Sequence, residues 1–217
     1  ISHAAWEAVK DDMSEELGYI TTPVDRTPIG DNGATYAGNW ITTLMLRGTQ
    51  DQGTVAAFYN NGGIRTSLTI PAGETRRVVT AGDIYTINPF CNFWYVYELT
   101  GPELAQQLIN GFRNANYGDQ MSGLTFTYTQ EGGSAEGSDG ASGEGSADPA
   151  AYTIVSITLS DGTEVDLTDT ETTYRVCTSN YSGTLSGSVF EGKEPIVSEA
   201  EAPIDNITMI KLLREEA

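Results

Sequence analysis

The sequence predicts an α+β fold, a single domain with helices packed on a mixed, largely antiparallel β-sheet. Three observations carry that expectation. Thr54-Val55-Ala56-Ala57-Phe58 is a run of strand length with the composition of a buried strand. Ile154 to Leu159 and Glu164 to Leu167 flank Ser160-Asp161-Gly162-Thr163, whose Asp-Gly pair suits a hairpin turn. Thr100 with Glu103, and Pro102 between them, mark the start of a separate helix. Strands in adjacent hairpins with helices standing apart read as α+β.

In chain order, Ile1 to Leu17 has Trp6, Val9, Met13 and Leu17 at helical spacing with acids on the other face, so residues 1–18 are expected as a helix connecting to an upstream domain. The domain proper is expected over 19–217. Tyr19 to Val24 reads as a short strand ended by Pro23. Tyr36 to Leu46 reads as a mostly apolar helix ended by Gly48. Ser67 to Thr75 is loop, Arg76 to Val79 a strand, and Thr80 caps a short helical turn through Asp83. Phe93 to Leu99 is a strand, and the helix begun at Thr100 carries Leu104, Leu108 and Phe112 on its apolar stripe. Asp119 to Leu124 leads into a strand at Thr125 to Thr129. Residues 131–150 hold no large apolar side chain and are expected as a flexible acidic Gly/Ser loop, since such a segment cannot offset its ordering entropy. Tyr174 to Ser179 is a further strand ending at Asn180-Tyr181, and Asp205 caps a last helix from Ile207 to Glu215.

Composition excludes several functions. Lys and Arg number 11 against 30 Asp and Glu, a net charge of −19. That argues against nucleic acid and against an anionic membrane surface, both of which are bound through basic patches. A small phosphorylated ligand stays open, because charges beyond about 8–10 Å are screened. No stretch approaches the roughly 18 apolar residues of a membrane span. The chain begins at Ile1 without a signal peptide and is read as a piece of something larger. With His3, Cys91 and Cys177 as the whole His/Cys inventory, the usual transition-metal site cannot be assembled. The two cysteines are expected as buried free thiols, with a pairing left open.

The stretch with most chemistry is Tyr59-Asn60-Asn61-Gly62-Gly63-Ile64-Arg65. Its Asn and Gly residues tolerate positive φ, and such a turn can aim backbone N–H groups at an anion. Arg65 would close it with a fork of donors matched to phosphate or carboxylate.

Three stretches together resemble one family. Asn60-Asn61-Gly62-Gly63-Ile64-Arg65 is similar to the Asn-x-Gly-Gly-Ile-Arg loop of the 5'-nucleotidase C-terminal domain. The segment Thr80 to Asn92, ending Asn88-Pro89-Phe90-Cys91-Asn92, resembles its Gly-Asp-aromatic…Pro-Phe-x-Asn segment, and Ser122-Gly123-Leu124-Thr125-Phe126 its Ser-Gly-Leu-x-Phe strand. Tyr36 to Trp40 looks like its Gly-Asn-Leu helix, and Leu99 to Leu104 like its Leu-Thr-Gly-Pro-Glu-Leu helix start. The family contains 5'-nucleotidases, UDP-sugar hydrolases and cyclic-nucleotide phosphodiesterases.

The resemblance implies a 5'-nucleotidase C-terminal domain-like fold and the substrate-binding half of a two-domain phosphoesterase. An upstream metallophosphoesterase domain would carry two divalent metal ions, and this chain none. Asn60, Gly62, Gly63 and Arg65 would form the ligand loop, with Arg65 near phosphate or ribose. Phe90 and Tyr181 would be the two walls of a base-stacking clamp, each stack worth about 1–3 kcal/mol. No catalytic residue is expected here, so the chain alone should not hydrolyse. The implied partners are a nucleotide or nucleotide-derived molecule and the upstream domain, in an extracellular, cell-surface or periplasmic setting. Departures are visible. The family's Asn-Gly-Gly-Asp-Gly after the second aromatic is replaced by Ser182 to Phe190, with no acid. An Arg eight residues before Asn39 is replaced by Asp31, leaving Arg26 as the nearest candidate, and Thr43 stands for the helix's usual Asp. The competing reading is a non-catalytic binding or surface module that keeps the fold and has lost the site.

Overall fold

In a computed structural model, residues 9–29, 33–112, 119–131 and 152–216 are described. In chain order the elements are β1 (Glu16–Ile20), α1 (Tyr36–Gly48), β2 (Ala56–Asn60), β3 (Arg77–Thr80), α2 (Ala81–Ile87), β4 (Trp94–Thr100), α3 (Gly101–Phe112), β5 (Asp119–Ser122), β6 (Leu124–Gln130), β7 (Tyr152–Leu159), β8 (Thr173–Ser179), α4 (Asn180–Gly183) and α5 (Asp205–Glu216). The central sheet has four strands in the order β4-β8-β2-β5, and β1-β3 and β6-β7 form two-stranded ribbons. β2 and β8 are parallel, and the other pairs are antiparallel. The α+β expectation, with helices packed on mixed sheets, therefore holds.

The apolar run at β2 makes sense in this setting, because both faces of the strand are covered. Ala57 and Tyr59 point into one core with Ile41, Met45, Ile84, Trp94 and Met209. Ala56 and Phe58 point into a second with Tyr97, Leu104, Leu108, Ile157 and Phe190. Alternation along β4 divides in the same way, Trp94 and Val96 against Tyr95 and Tyr97. Local signals place the helices. Thr80 and Asp83 form a reciprocal capping box at α2. At α3, the amide of Thr100 donates to Glu103 Oε2 at 2.8 Å. Thr35 caps α1 by accepting from the Gly38 amide, and its own amide donates to Gln120 Oε1 at 2.9 Å, which ties α1 to β5.

Several expectations are corrected. The helix expected over 1–18 does not reach its end: residues 9–13 are helical and Glu16–Ile20 is a strand. Leu17 is buried as a strand residue at the register shift of the β1–β3 pairing, and Gly18 beside it has φ 128. Pairing with β3 thus overrides helical spacing. Val24 lies outside the strand and makes an isolated bridge to Leu68. Glu164 makes only a bridge to Thr158, although the Asp-Gly turn forms, with the Leu159 amide donating to the Thr163 carbonyl at 2.9 Å. Of the acidic Gly/Ser segment expected over 131–150, all but Glu131 lies outside the described residues, as do the upstream residues 1–8. Both cysteines are free thiols, but Cys91 is exposed, contrary to expectation. Cys177 is buried, and that burial pushes its thiol up to about 12.

Candidate functional site

Because β2 and β8 are parallel neighbours, their carboxyl ends finish at the same edge of the sheet. β4 runs opposite to β8, with Trp94 facing Ser179, so β4 begins at that edge. Asp119 faces Asn60, so β5 begins there too. Four chain segments far apart in sequence therefore meet. They are the turn after β2 with Asn60 to Arg65, the turn before β4 with Phe90, α4 after β8 with Tyr181, and the start of β5. The end of parallel strands in an open sheet is where ligands are commonly held.

The Asn60 turn has a form that the sequence did not predict. Asn61–Gly63 is a 3-10 turn, and neither Gly62 nor Gly63 has positive φ. Gly63 is required for another reason: a Cβ there would lie 2.7 Å from Tyr59 Cε1. The Ile64 amide donates to the Asn61 carbonyl at 3.1 Å and the Arg65 amide to the Ile87 carbonyl at 2.9 Å, so these two N–H groups are engaged by the fold. The exposed donor of the turn is instead the Arg65 side chain. Its Nη1 donates to the Gly62 carbonyl at 2.8 Å, folding the side chain back over the turn. Its Cζ lies 5.7 Å from the centroid of the Phe90 ring, within cation–π range.

Arg26 joins them. Its Nη1 donates to the Arg65 carbonyl at 3.2 Å, and its amide donates to Ser67 Oγ at 3.1 Å. Beside it, Asp25 is held below the usual carboxylate range by donors from Thr27 and Ser67. Among the described residues neither Arg26 nor Arg65 is ion-paired with a carboxylate. In a chain of net charge −19, Arg26 and Arg65 are two cations joined through the Arg65 main-chain carbonyl.

Phe90 is 52% exposed and Tyr181 53% exposed. Neither belongs to the aromatic clusters of the fold, Phe93-Tyr95-Tyr97-Phe190 and Phe112-Phe126-Tyr128-Tyr152. Two hydrogen bonds fix the segments that carry them. The Asn180 amide donates to the Phe93 carbonyl at 2.8 Å, and Asn180 Oδ1 accepts from the Phe93 amide at 3.0 Å. The Ser182 to Phe190 segment, which lacks an acid, folds back so that Phe190 packs on Tyr97. Asp31 lies outside the described residues.

Beneath these turns lie polar residues that sequence reasoning did not single out as part of the site. Asn88, Asp205 and Asn206 are fully buried. The hydroxyl of Tyr59 donates to Asn88 Oδ1 at 2.9 Å, and its burial raises its pKa. Burial also raises the Asp205 carboxyl above its ordinary range. Asp119, at the start of β5, is pushed up to about 6 by burial, only partly offset by the donor Gln107 Nε2 at 2.8 Å. A cleft of about 300 Å³ lined by Leu46, Thr54, Val55, Gly123 and Leu159 opens at the opposite end of β2 and shares no residue with the site. Among the described residues no group of three or more His, Cys, Asp or Glu could hold a metal ion. No helix among them is long and apolar enough to cross a membrane.

Residues 17–191 match the family described as 5'-nucleotidase, C-terminal domain. The chain is 29% identical over 183 residues to the trifunctional nucleotide phosphoesterase protein YfkN of Bacillus subtilis (strain 168), a match covering 81% of this chain and 11% of that protein. It is 28% identical over 154 residues to the cell wall protein Lmo0130 of Listeria monocytogenes, covering 70% of this chain and 18% of that one. Among solved structures, the 5'-nucleotidase precursor of Thermus thermophilus superposes with a TM-score of 0.71 at 25% identity, covering 98% of this chain and 39% of that chain. The chain thus spans a minor part of each of these proteins.

Proposed function

This chain belongs to the 5'-nucleotidase C-terminal domain family, and from that premise we propose that it is the substrate-holding part of a two-domain phosphoesterase. The base of a nucleotide lies against Phe90 and Tyr181. The phosphate or ribose side faces Arg65, with Arg26 beside it, and Asn60, Gly62 and Gly63 shape the floor of the turn. One observation carries this reading: segments from β2, β4 and β8 converge at one sheet edge and set a guanidinium beside an exposed ring.

The chemistry follows from the groups present. A flat base gains from stacking on an aromatic face irrespective of its edge, so the site tolerates several bases. Two guanidiniums without carboxylate partners among the described residues offer donors to phosphoryl oxygens. The divalent metals of the family do not fit the described residues of this chain, and no hydrolytic step is assigned to it. The enzyme activity belongs to the longer protein, whose relatives include a nucleotide phosphoesterase. An extracellular or cell-surface setting is supported by the cell wall relative.

Calorimetry with AMP, UMP and UDP-glucose tests the reading. Heat of binding with at least one of them is expected, lost in a Phe90→Ala, Tyr181→Ala double variant, with no phosphate release by the chain alone. The second reading, a cell-surface module without a nucleotide site, is favoured by the acid-free Ser182 to Phe190 segment. No heat with any of the three ligands at millimolar concentration would establish it instead.

A further inference from the structure

The turn that carries Phe90 is not held by Phe90 itself, whose ring is half in solvent. Its middle residue, Cys91, has φ 53 and is the one non-glycine with positive φ among the described residues. A left-handed conformation at such a residue costs roughly 1–2 kcal/mol and persists only where the surroundings impose it. The surroundings here are the first turn of α5. Asn206 Nδ2 donates to Cys91 Sγ at 3.1 Å. The Asp205 amide donates to the Asn92 carbonyl at 2.8 Å, and Asp205 Oδ1 accepts from the Asn206 amide at 2.6 Å. Just outside, the Trp94 amide donates to the Pro203 carbonyl at 2.8 Å, and Phe93 bridges Ile204. The arrangement is made from the fully buried polar side chains of Asp205 and Asn206, and Asn206 Oδ1 finds no hydrogen-bond partner among the described residues. Stability alone does not favour such a cluster, since apolar side chains of similar size would avoid the desolvation cost. A buried polar cluster that breaks this rule next to a strained turn is the pattern of a site held for function.

We propose that Asp205 and Asn206 are positioning residues for the Phe90 ring, holding the Phe90–Asn92 turn in its left-handed form from beneath. This rests on the reading of Phe90 as a ligand-stacking group. Asn206 Nδ2 restrains the Cys91 side chain, the Asp205 main-chain amide restrains the backbone one residue later, and the Asp205 carboxylate fixes the start of α5 by accepting from the Asn206 main-chain amide. With the turn relaxed to ordinary φ, Phe90 leaves the Arg65 guanidinium and the stacking face is lost.

The test is AMP titration by calorimetry on five variants, Phe90→Ala among them, with circular dichroism to confirm folding. Asn206→Ala is expected to weaken AMP binding about tenfold in the native background and to have no further effect in a Phe90→Ala background, since coupled residues are not additive. Adding Cys91→Gly to Asn206→Ala is expected to restore affinity, because glycine adopts the left-handed form freely. Cys91→Val, which also removes the sulfur that accepts from Asn206 Nδ2, is expected to weaken binding as Asn206→Ala does, because a β-branched residue resists that conformation. AMP binding by the native chain with unchanged affinity in Cys91→Val, or additive effects of Phe90→Ala and Asn206→Ala, would overturn this proposal alone. Absence of AMP, UMP and UDP-glucose binding by the native chain would instead remove the nucleotide reading, and this proposal with it.

Discussion

Replacing Asp119 by Asn should stabilise this domain at neutral pH, although it removes the side chain's only charge. Asp119 opens β5 opposite Asn60, and Gln107 Nε2 donates to its Oδ2 at 2.8 Å. Burial lifts its pKa from the ordinary 3.8 to about 6. A carboxyl with a raised folded-state pKa holds its proton more tightly folded than unfolded. Its contribution to stability is therefore complete below about pH 4 and lost as pH rises through about 6. The difference between the two pKa values corresponds to about 3 kcal/mol. Since the residue as a whole is only half-buried, solvent screening lowers the expected effect to about 1–3 kcal/mol. Asparagine keeps an oxygen to accept from Gln107 and has no proton to lose. Urea unfolding of both proteins, followed by the fluorescence of buried Trp94, provides the comparison. The Asn variant should match the native chain near about pH 3.5 and exceed it progressively up to about pH 7.5. The other carboxylates titrate in both proteins and cancel in the difference. A variant less stable than native at neutral pH, or a difference independent of pH, would refute this account of Asp119.

Three further outcomes are expected. Phe90→Ala and Tyr181→Ala should each weaken nucleotide binding by about 5- to 150-fold, the equivalent of losing one base–aromatic stack, as read by calorimetry. Gly63→Ala should destabilise the domain by about 1–3 kcal/mol in urea unfolding, because its methyl would lie 2.7 Å from a buried ring atom of Tyr59 and displace the hydroxyl from Asn88. Phe190→Ala should cost about 3–5 kcal/mol of stability while leaving nucleotide affinity unchanged, since Phe190 is buried 5.0 Å from the Tyr97 ring on the far core.

Much of the fold was legible because its signals are local. The Thr80–Asp83 and Thr100–Glu103 pairs are satisfied within four residues, so short-range chemistry alone sets both helix starts. The run at β2 announces its burial because both of its faces are covered. β5 was illegible as a strand. Asp119–Ser122 is short and polar, and is held by pairing with β2 and by Gln120 reaching to Thr35. The end of the first predicted helix failed in the same way, since nothing at Leu17 reveals a partner strand more than sixty residues on. At the site, the Asn60 turn, Phe90 and Tyr181 stood out by family resemblance, and Arg26 by counting from Asn39. The exposure of Cys91 and its link to Asn206 had no sequence signal, because the two residues are 115 positions apart and each looks ordinary alone.

The reciprocal bonds between Asn180 and Phe93 have a mechanical consequence. One asparagine fastens the Tyr181 segment to the strand that begins just after Phe93, so neither arm swings without dragging the other. Under the proposed function, a rotation of the whole domain would carry a bound nucleotide without loosening and regripping it. Release would then depend on what waits at the end of the swing rather than on the arms parting.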